Sequence, residues 1–254
     1  MGDVISKRLT RLGAQSLAAR AELNLGNALS QAGRYKEARP RFVTALESAE
    51  GIGDKAAACL GLSSCELFVG KPALAEELAD EAFQTYDEFG AERNADICRV
   101  NRAFAKLLQG RADESLDELL EVRSRFELTE PYGAWIEELL GDTYGVLNLW
   151  SESRDCFQTA LAAYRVMRAK PHIANCLYGL GEAHLALGRL SAVHDPISKA
   201  KCLYRSMNDR AMMGACALVE ARASFEGRCY ADASRHSRSA ATALSAMKIQ
   251  PSSA

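Results

Sequence analysis

The sequence predicts an all-α protein, a right-handed α-solenoid of five to six helix hairpins. Turn signals recur at Gly33-Arg34, Gly70-Lys71, Gly110-Arg111, Asn148-Leu149, Gly188-Arg189 and Gly227-Arg228, at intervals of 37, 40, 38, 40 and 39 residues. A period this regular marks one supersecondary unit used repeatedly. Apolar residues around each turn fall at helical spacing, and no alternating stretch is long enough for a strand. Small and large residues also keep fixed places about the first turn. Leu25, Gly26 and Leu29 precede Gly33, and Tyr35, Ala38, Phe42 and Ala45 follow it. Gly26 and Ala38 let two helices approach closely, and Tyr35 and Phe42 fill the space left. One such hairpin cannot bury its apolar face alone, so the pattern predicts neighbours of the same kind.

Taken in order, residues 1–15 hold a helical segment over 4–12, ended by Gly13. It reads either as the close of a preceding repeat or as an N-terminal capping helix. The array occupies 16–247. Repeat one covers about 16–52, and Pro40 inside its second helix removes a donor and predicts a bend. Repeat two covers about 54–89, with Leu62, Ala75 and Ala82 at matching offsets and Pro72 suited to a helix start. Repeat three, about 91–128, puts Ala103 for the packing glycine and Ser115 for the alanine. Repeat four, about 131–168, matches well at Leu140, Gly141, Tyr144, Phe157 and Ala160. Repeat five, about 171–207, matches at Leu180, Gly181 and Ala200, with Pro196 expected to bend its second helix. Repeat six, about 209–247, shows only its turn and Ala/Cys-rich helices. Pro131 and Pro171 each stop one helix and start the next. Residues 248–254 are expected to form a disordered tail.

Composition bounds the function. The chain has 254 residues, 48% hydrophobic and 25% charged, as folded domains do. No apolar run reaches the roughly 18 residues that suggest a membrane span. A net charge of −2 gives no case for nucleic acid. Charge is uneven, however. Residues 76–142 carry 18 acidic and 7 basic side chains, and residues 189–254 carry 10 basic and 5 acidic. That describes either solvated helix faces or a dipolar array that binds a charged partner, or weakly binds itself. Eight cysteines occur without a C-x-x-C, at helical rather than ligand spacing, and read as reduced packing thiols of a cytoplasmic protein.

Catalytic patterns are missing. There is no phosphate-binding glycine loop, no H-E-x-x-H and no G-x-S-x-G. His172 and Cys176, four apart on a helix, share a face, but a thiolate pair also needs an oxyanion site and an orienting group. His184 takes a core position, and His194-Asp195 is a lone exposed pair. The sequence therefore predicts no enzyme, no cofactor and no metal site.

The large and small residues about each turn, from Leu25, Gly26 and Phe42 to Leu180, Gly181 and Ala200, resemble the tetratricopeptide (TPR) signature over about 230 residues. The period is longer than that family's usual 34 or so residues. Loops such as EGIGDKAAA and EFGAERNAD make it similar to the long-period arrays of bacterial CHAT-protease and signalling-ATPase proteins. The resemblance implies that first helices line a concave groove that binds a protein or peptide segment. It assigns to that groove Arg20, Leu23, Asn27 and Gln31, then Leu60, Ser64 and Phe68, then Val100, Phe104 and Leu108. Trp135, Glu138 and Asp142 follow, then Asn175, Tyr178 and Glu182. The residues taken for the partner-binding groove are Asn27, Ser64, Phe68, Val100, Phe104, Trp135, Glu138, Asp142, Tyr178 and Glu182. Leu23, Val100 and Phe104 replace cations of the TPR clamps that hold chaperone C-termini. The expected partner is therefore an apolar segment with a basic flank, anchored on aromatics and oriented by carboxylates. The chain reads as a scaffold or sensor array, or as the regulatory portion of a larger signalling protein.

Overall fold

Helix hairpins follow one another along the whole computed structural model, which describes residues 15–245. The segment 1–14 and the tail from 246, including the N-terminal helix and C-terminal tail expected above, lie outside the described residues. Contacts divide the chain into two compact units that meet in sequence at Ser124 and Arg125. The first unit holds α1 (Gln15–Gln31), α2 (Tyr35–Ser48), α3 (Ile52–Val69), α4 (Pro72–Glu88), α5 (Glu92–Leu108) and α6 (Ala112–Arg123). The second holds α7 (Pro131–Val146), α8 (Trp150–Met167), α9 (Lys170–Ala186), α10 (His194–Ser206), α11 (Arg210–Glu226) and α12 (Tyr230–Ser245). Every described element is helical, so the all-α class stands.

The turn period has a backbone cause. Gly33, Gly70, Gly110, Asn148 and Gly188 all adopt left-handed φ, where a side chain costs energy and glycine or asparagine costs least. The sixth turn differs from expectation. Gly227 has φ −77, and the left-handed residue is Arg228 at φ 60. The last interval, Gly188 to Arg228, is therefore 40 residues, and repeat six keeps the period better than its glycine suggests. Gly90, Arg168 and Asn208 make left-handed turns between successive hairpins.

Each unit is welded by one wedge of the same design. Phe42 is wholly buried, and its ring presses on Gly26 of its own hairpin and Gly61 of the next. A Cβ on Gly26 would sit 2.8 Å from that ring. Phe157 does the same between Gly141 and Gly179 in the second unit. Ile197 closes on Gly181 in the hairpin after it. Core packing at this density leaves no room for an added methyl group without displacement of the ring. Serines stitch two of the crossings. Ser63 donates to the Ala75 carbonyl and Ser153 to the Gly141 carbonyl, each at 2.7 Å.

The prolines behave unequally. Pro72 and Pro131 open α4 and α7, and Pro171 is the second residue of α9. Pro40 remains inside α2, which continues to Ser48. Pro196 does not bend a second helix. A short 3-10 turn, Leu190–Ala192, comes first, and Pro196 then falls in the opening turn of α10, where its missing N–H costs nothing. Six of the eight cysteines are buried and all eight are free, with only Cys202 and Cys229 exposed.

Candidate functional site

The first helix of each hairpin carries a stripe of residues at fixed distances before its left-handed turn. In the first unit that stripe is uneven, with Leu23 and Val100 buried and Arg20, Asn27, Gln31, Phe68 and Leu108 exposed. Val100 is wholly buried and presents no surface to a partner, which corrects its assignment to the groove. It lies on the buried side of α5, which also carries Ala103 and Ala105, because the neighbouring helices cover that side. Ser64 is half-buried and accepts from the Asn101 amide at 3.0 Å. Asn27 is exposed on α1. Phe68, about half exposed, lies flat on Tyr35 with centroids 4.0 Å apart and meets Phe104 edge-on at 6.0 Å. Tyr35, expected to fill its own hairpin, thus also joins the surface aromatics.

This unit neutralises its buried carboxylates with its own cations. Glu66 pairs with Arg39 at 2.5 Å, and Glu22 with Arg41 at 3.4 Å. Glu118 holds Arg102 at 2.6 Å and Lys106 at 3.0 Å. Arg99 and Arg102 also lie over the Phe83 ring, where the cation meets the negative face of the π-system.

The second unit is built otherwise. Glu138 on α7 is buried, yet among the described residues no lysine or arginine meets it. His172 Nδ1 lies 2.7 Å from one of its oxygens, and the Asn175 amide donates to the other at 3.0 Å. Asn175 in turn accepts from the Tyr204 hydroxyl at 2.9 Å. The Tyr164 ring stacks on His172 at 4.5 Å and fixes its plane. One turn along α7, Asp142 makes no hydrogen bond or ion pair among the described residues. Asp142 is exposed; the protein around its carboxyl, then the carboxylates of Glu138 and Glu182, raise it above the ordinary aspartate range, an effect that solvent access screens. On α9, Glu182 accepts from the Tyr178 hydroxyl at 2.9 Å. Burial raises the Glu182 carboxyl, against the Tyr178 bond and the charge of Arg222. Trp135 is half-buried near Tyr132, centroids 5.9 Å apart, and Tyr132 leans on Phe126 at the same spacing.

Tyr178 and Glu182 border an open cleft of about 770 Å³ that runs onto α11 and α12. Leu218, Phe225 and Tyr230 line it, and all three are exposed, with Phe225 and Tyr230 packed edge to face at 5.8 Å. Ser237 stands nine residues past its turn, where Phe42, Phe157 and Ile197 are the wedges of other hairpins. A small side chain there leaves space unfilled. Sequence reasoning missed these residues because it stopped the stripe at repeat five. Leu218 and Arg222 lie ten and six residues before Arg228, as Tyr178 and Glu182 lie before Gly188. Extending the spacing by one repeat finds both.

Other candidates close. Cys176 is wholly buried, and burial, then Glu138 and Asp142, push its thiol up, so it stays protonated beside a histidine turned toward Glu138. His184 is half-buried, and burial, then Arg189 and Arg154, lower its pKa and keep it neutral. Among the described residues no three His, Cys, Asp or Glu side chains are grouped to hold a metal ion. No described helix is long and apolar enough to cross a membrane.

Comparison with known proteins agrees with this architecture. A tetratricopeptide repeat family model matches residues 17–88. No curated protein matches the chain. Among solved structures, it is similar to a Rap protein complexed with Competence and Sporulation Factor, with TM-score 0.67 and 13% identity over 93% of this chain and 78% of that one. The Cut9–Hcn1 hetero-tetramer of the APC/C gives a TM-score of 0.66 and 18% identity over 94% of this chain and 45% of that one. BtubC (BKLC) from P. vanneervenii gives 0.63 and 14%, over 96% and 94%. At these identities the likeness is one of fold. The chain is an all-α, TPR-like array of helix hairpins, a right-handed α-solenoid in fold class.

Proposed function

We propose that this protein is a non-enzymatic scaffold that binds a protein or peptide segment along the first-helix face of its second unit. The observation that carries the reading is the junction at Tyr178 and Glu182, where an under-neutralised acidic network meets an open apolar cleft. Such a surface suits a segment with apolar anchors and a basic flank. The apolar side chains would enter among Leu218, Phe225 and Tyr230, and the cation would approach Asp142 and Glu182. Trp135 adds a second aromatic anchor farther along α7. Aromatic residues in desolvated pockets dominate such contacts, and charges at the rim set orientation and rate.

Two of the similar structures support binding as the general role. The Rap protein is complexed with a factor, and Cut9 stands in a hetero-tetramer with Hcn1. Buried free thiols fit a reducing, cytoplasmic setting. The long repeat period favours a second reading, in which the array is the regulatory part of a larger signalling protein of the CHAT-protease or signalling-ATPase kind.

The test is capture of the partner by the wild-type protein, its identification, and affinity measurement with Tyr178→Ala and Phe225→Ala. Each truncation is expected to weaken binding by tens-fold, the range of about 2 kcal/mol or more for a central aromatic anchor. Wild-type affinity in both well-folded variants removes this face as the binding surface.

A further inference from the structure

Where one hairpin receives the next, three side chains share one space. The first comes from the first helix, seven residues before its left-handed turn, and the second from the second helix, nine residues past that turn. The third comes from the incoming first helix, nine residues before its own turn. Their sizes compensate. Gly26 and Gly61 leave room for Phe42, and Gly141 and Gly179 leave room for Phe157. Where the hairpin supplies two small residues, the incoming helix supplies the large one. Ser63 and Ala79 hold the first two places of the second hairpin, and Asn101 on α5 holds the third, all three wholly buried. The Asn101 amide donates to the Ser63 hydroxyl at 3.3 Å. Interiors are close-packed, so the three volumes fill the space together.

The sixth hairpin has the two small residues and no third. Ala221 on α11 and Ser237 on α12 hold the first two places, and both line the open cleft of about 770 Å³. No helix follows α12 among the described residues. The second helix of a hairpin also reaches out to the incoming one. In the first hairpin Tyr35 stacks on Phe68 and Arg39 pairs with Glu66, both on α3. The same offsets in the sixth hairpin hold Tyr230 and Ser234, which are exposed and line the cleft. The cleft therefore has the outline of a seat for one more first helix.

We infer that this seat receives an amphipathic α-helix of a partner protein, laid against α11 and α12 as α3 is laid against α1 and α2, with a large apolar side chain entering over Ala221 and Ser237. This deepens the docking role proposed above and rests on it for the presence of a partner. A helix fits because a first helix fills the seats built on Phe42 and Phe157. An apolar side chain fits because the walls are apolar, with Leu218, Phe225 and Tyr230 exposed around the opening. Its size follows from the two small residues beneath it. A second copy of this chain fits worse. Its α1 presents Arg20, Asn24 and Gln31, polar and exposed, at the offsets where α3 presents Ala57, Gly61 and Phe68.

The experiment titrates the full chain with synthetic peptides of the α5 sequence, residues 92–108, in which position 101 is the entering side chain. Two are stapled helices, one with Asn101→Leu and one with Asn101→Gly. A third carries Asn101→Leu and Ala103→Pro without a staple, which keeps the leucine and breaks the helix. The leucine peptide should bind at least about tenfold more tightly than the glycine peptide, as burial of one leucine side chain implies. The proline peptide should lose that gain. Ser237→Leu closes the seat from within, as Leu119 stands with Ala103 in the third hairpin, both wholly buried. It should keep or raise the melting midpoint and weaken the leucine peptide by at least about tenfold. A leucine peptide that does not bind, or binds no better than the glycine or the proline peptide, overturns the inference. Those comparisons are made on wild type and decide the matter even where Ser237→Leu does not fold. A peptide of α1, Gln15–Gln31, that binds as tightly as the leucine peptide assigns the seat to a second copy and overturns it as well. The wider docking role is judged apart, by the captured partner's dependence on Tyr178 and Phe225. A partner that needs those aromatics but binds well-folded Ser237→Leu as it binds wild type overturns the helix seat alone.

Discussion

The two units share one hairpin and one wedge, yet the second leaves one buried carboxylate without the cation that the first supplies to its own. In the first, Arg39, Arg41 and Arg102 reach across to Glu66, Glu22 and Glu118. In the second, among the described residues, the buried Glu138 meets a histidine and an amide but no lysine or arginine, and the exposed Asp142 meets no cation. Removing a carboxylate from water without a full counter-charge is unfavourable, so the first arrangement fits a stabilising role and the second a surface waiting for a partner. Even within the second unit the contrast holds, because Glu220 is paired with Lys201. What the comparison teaches is that TPR-like repetition fixes helix packing and leaves the stripe on the first helices free to differ.

The wedges should be equivalent, and this is the largest effect. Phe42→Ala and Phe157→Ala are each expected to lower stability by about 3–5 kcal/mol, read as a fall in the urea midpoint. A cost for one alone would show that the units do not share a core design. Gly26→Leu should cost about 1–3 kcal/mol, since its Cβ would meet the Phe42 ring.

The charge contrast gives the next. Arg39→Met leaves Glu66 buried and unpaired, and is expected to cost about 2–3 kcal/mol. Adding Glu66→Gln should restore most of it. A double variant no more stable than Arg39→Met would show that the pair is not what holds α3 there.

Trp135→Ala separates docking from packing. The docking reading expects a melting midpoint little changed and affinity for the captured partner weakened by tens-fold. A sharp loss of stability with normal binding by the folded fraction would make Trp135 core instead. Glu182→Gln should give the smallest effect, a few-fold slower association with flatter salt dependence and nearly unchanged dissociation. An effect confined to dissociation would move Glu182 from rim to anchor.

The fold was legible because its determinants are local. A left-handed turn residue and a packing glycine are short-range signals, and both recur with the period. Arg228 was the exception, since a left-handed arginine leaves no trace that Gly227 does not mask. Pro196 misled for a related reason. Its position relative to a helix start depends on the 3-10 turn before it, which no residue type announces. The site was legible by offset but not by exposure. The same spacing, ten residues before the turn, leaves Tyr178 half-buried beside the cleft and places Val100 in the interior, because burial depends on the neighbouring helix. The pairing of Glu138 with His172 and Asn175 joins residues 34 and 37 apart, a distance that only packing resolves.

The charge contrast includes Asp142, a carboxylate left without a cation among the described residues. The residue is exposed, but the protein around its carboxyl and two neighbouring carboxylates still raise it in the folded chain, toward about 8 before solvent screening, and it returns to about 3.9 on unfolding. A raised folded value means that protonation favours the folded state. The contribution is therefore full below about pH 4 and is lost as pH rises toward 8. The direct measurement is the melting midpoint of wild type and Asp142→Asn across that range. The account predicts that the variant gains on wild type steadily from about pH 4 to pH 8 and levels off above. A difference that stays flat with pH, or a variant that loses ground as pH rises, would contradict it.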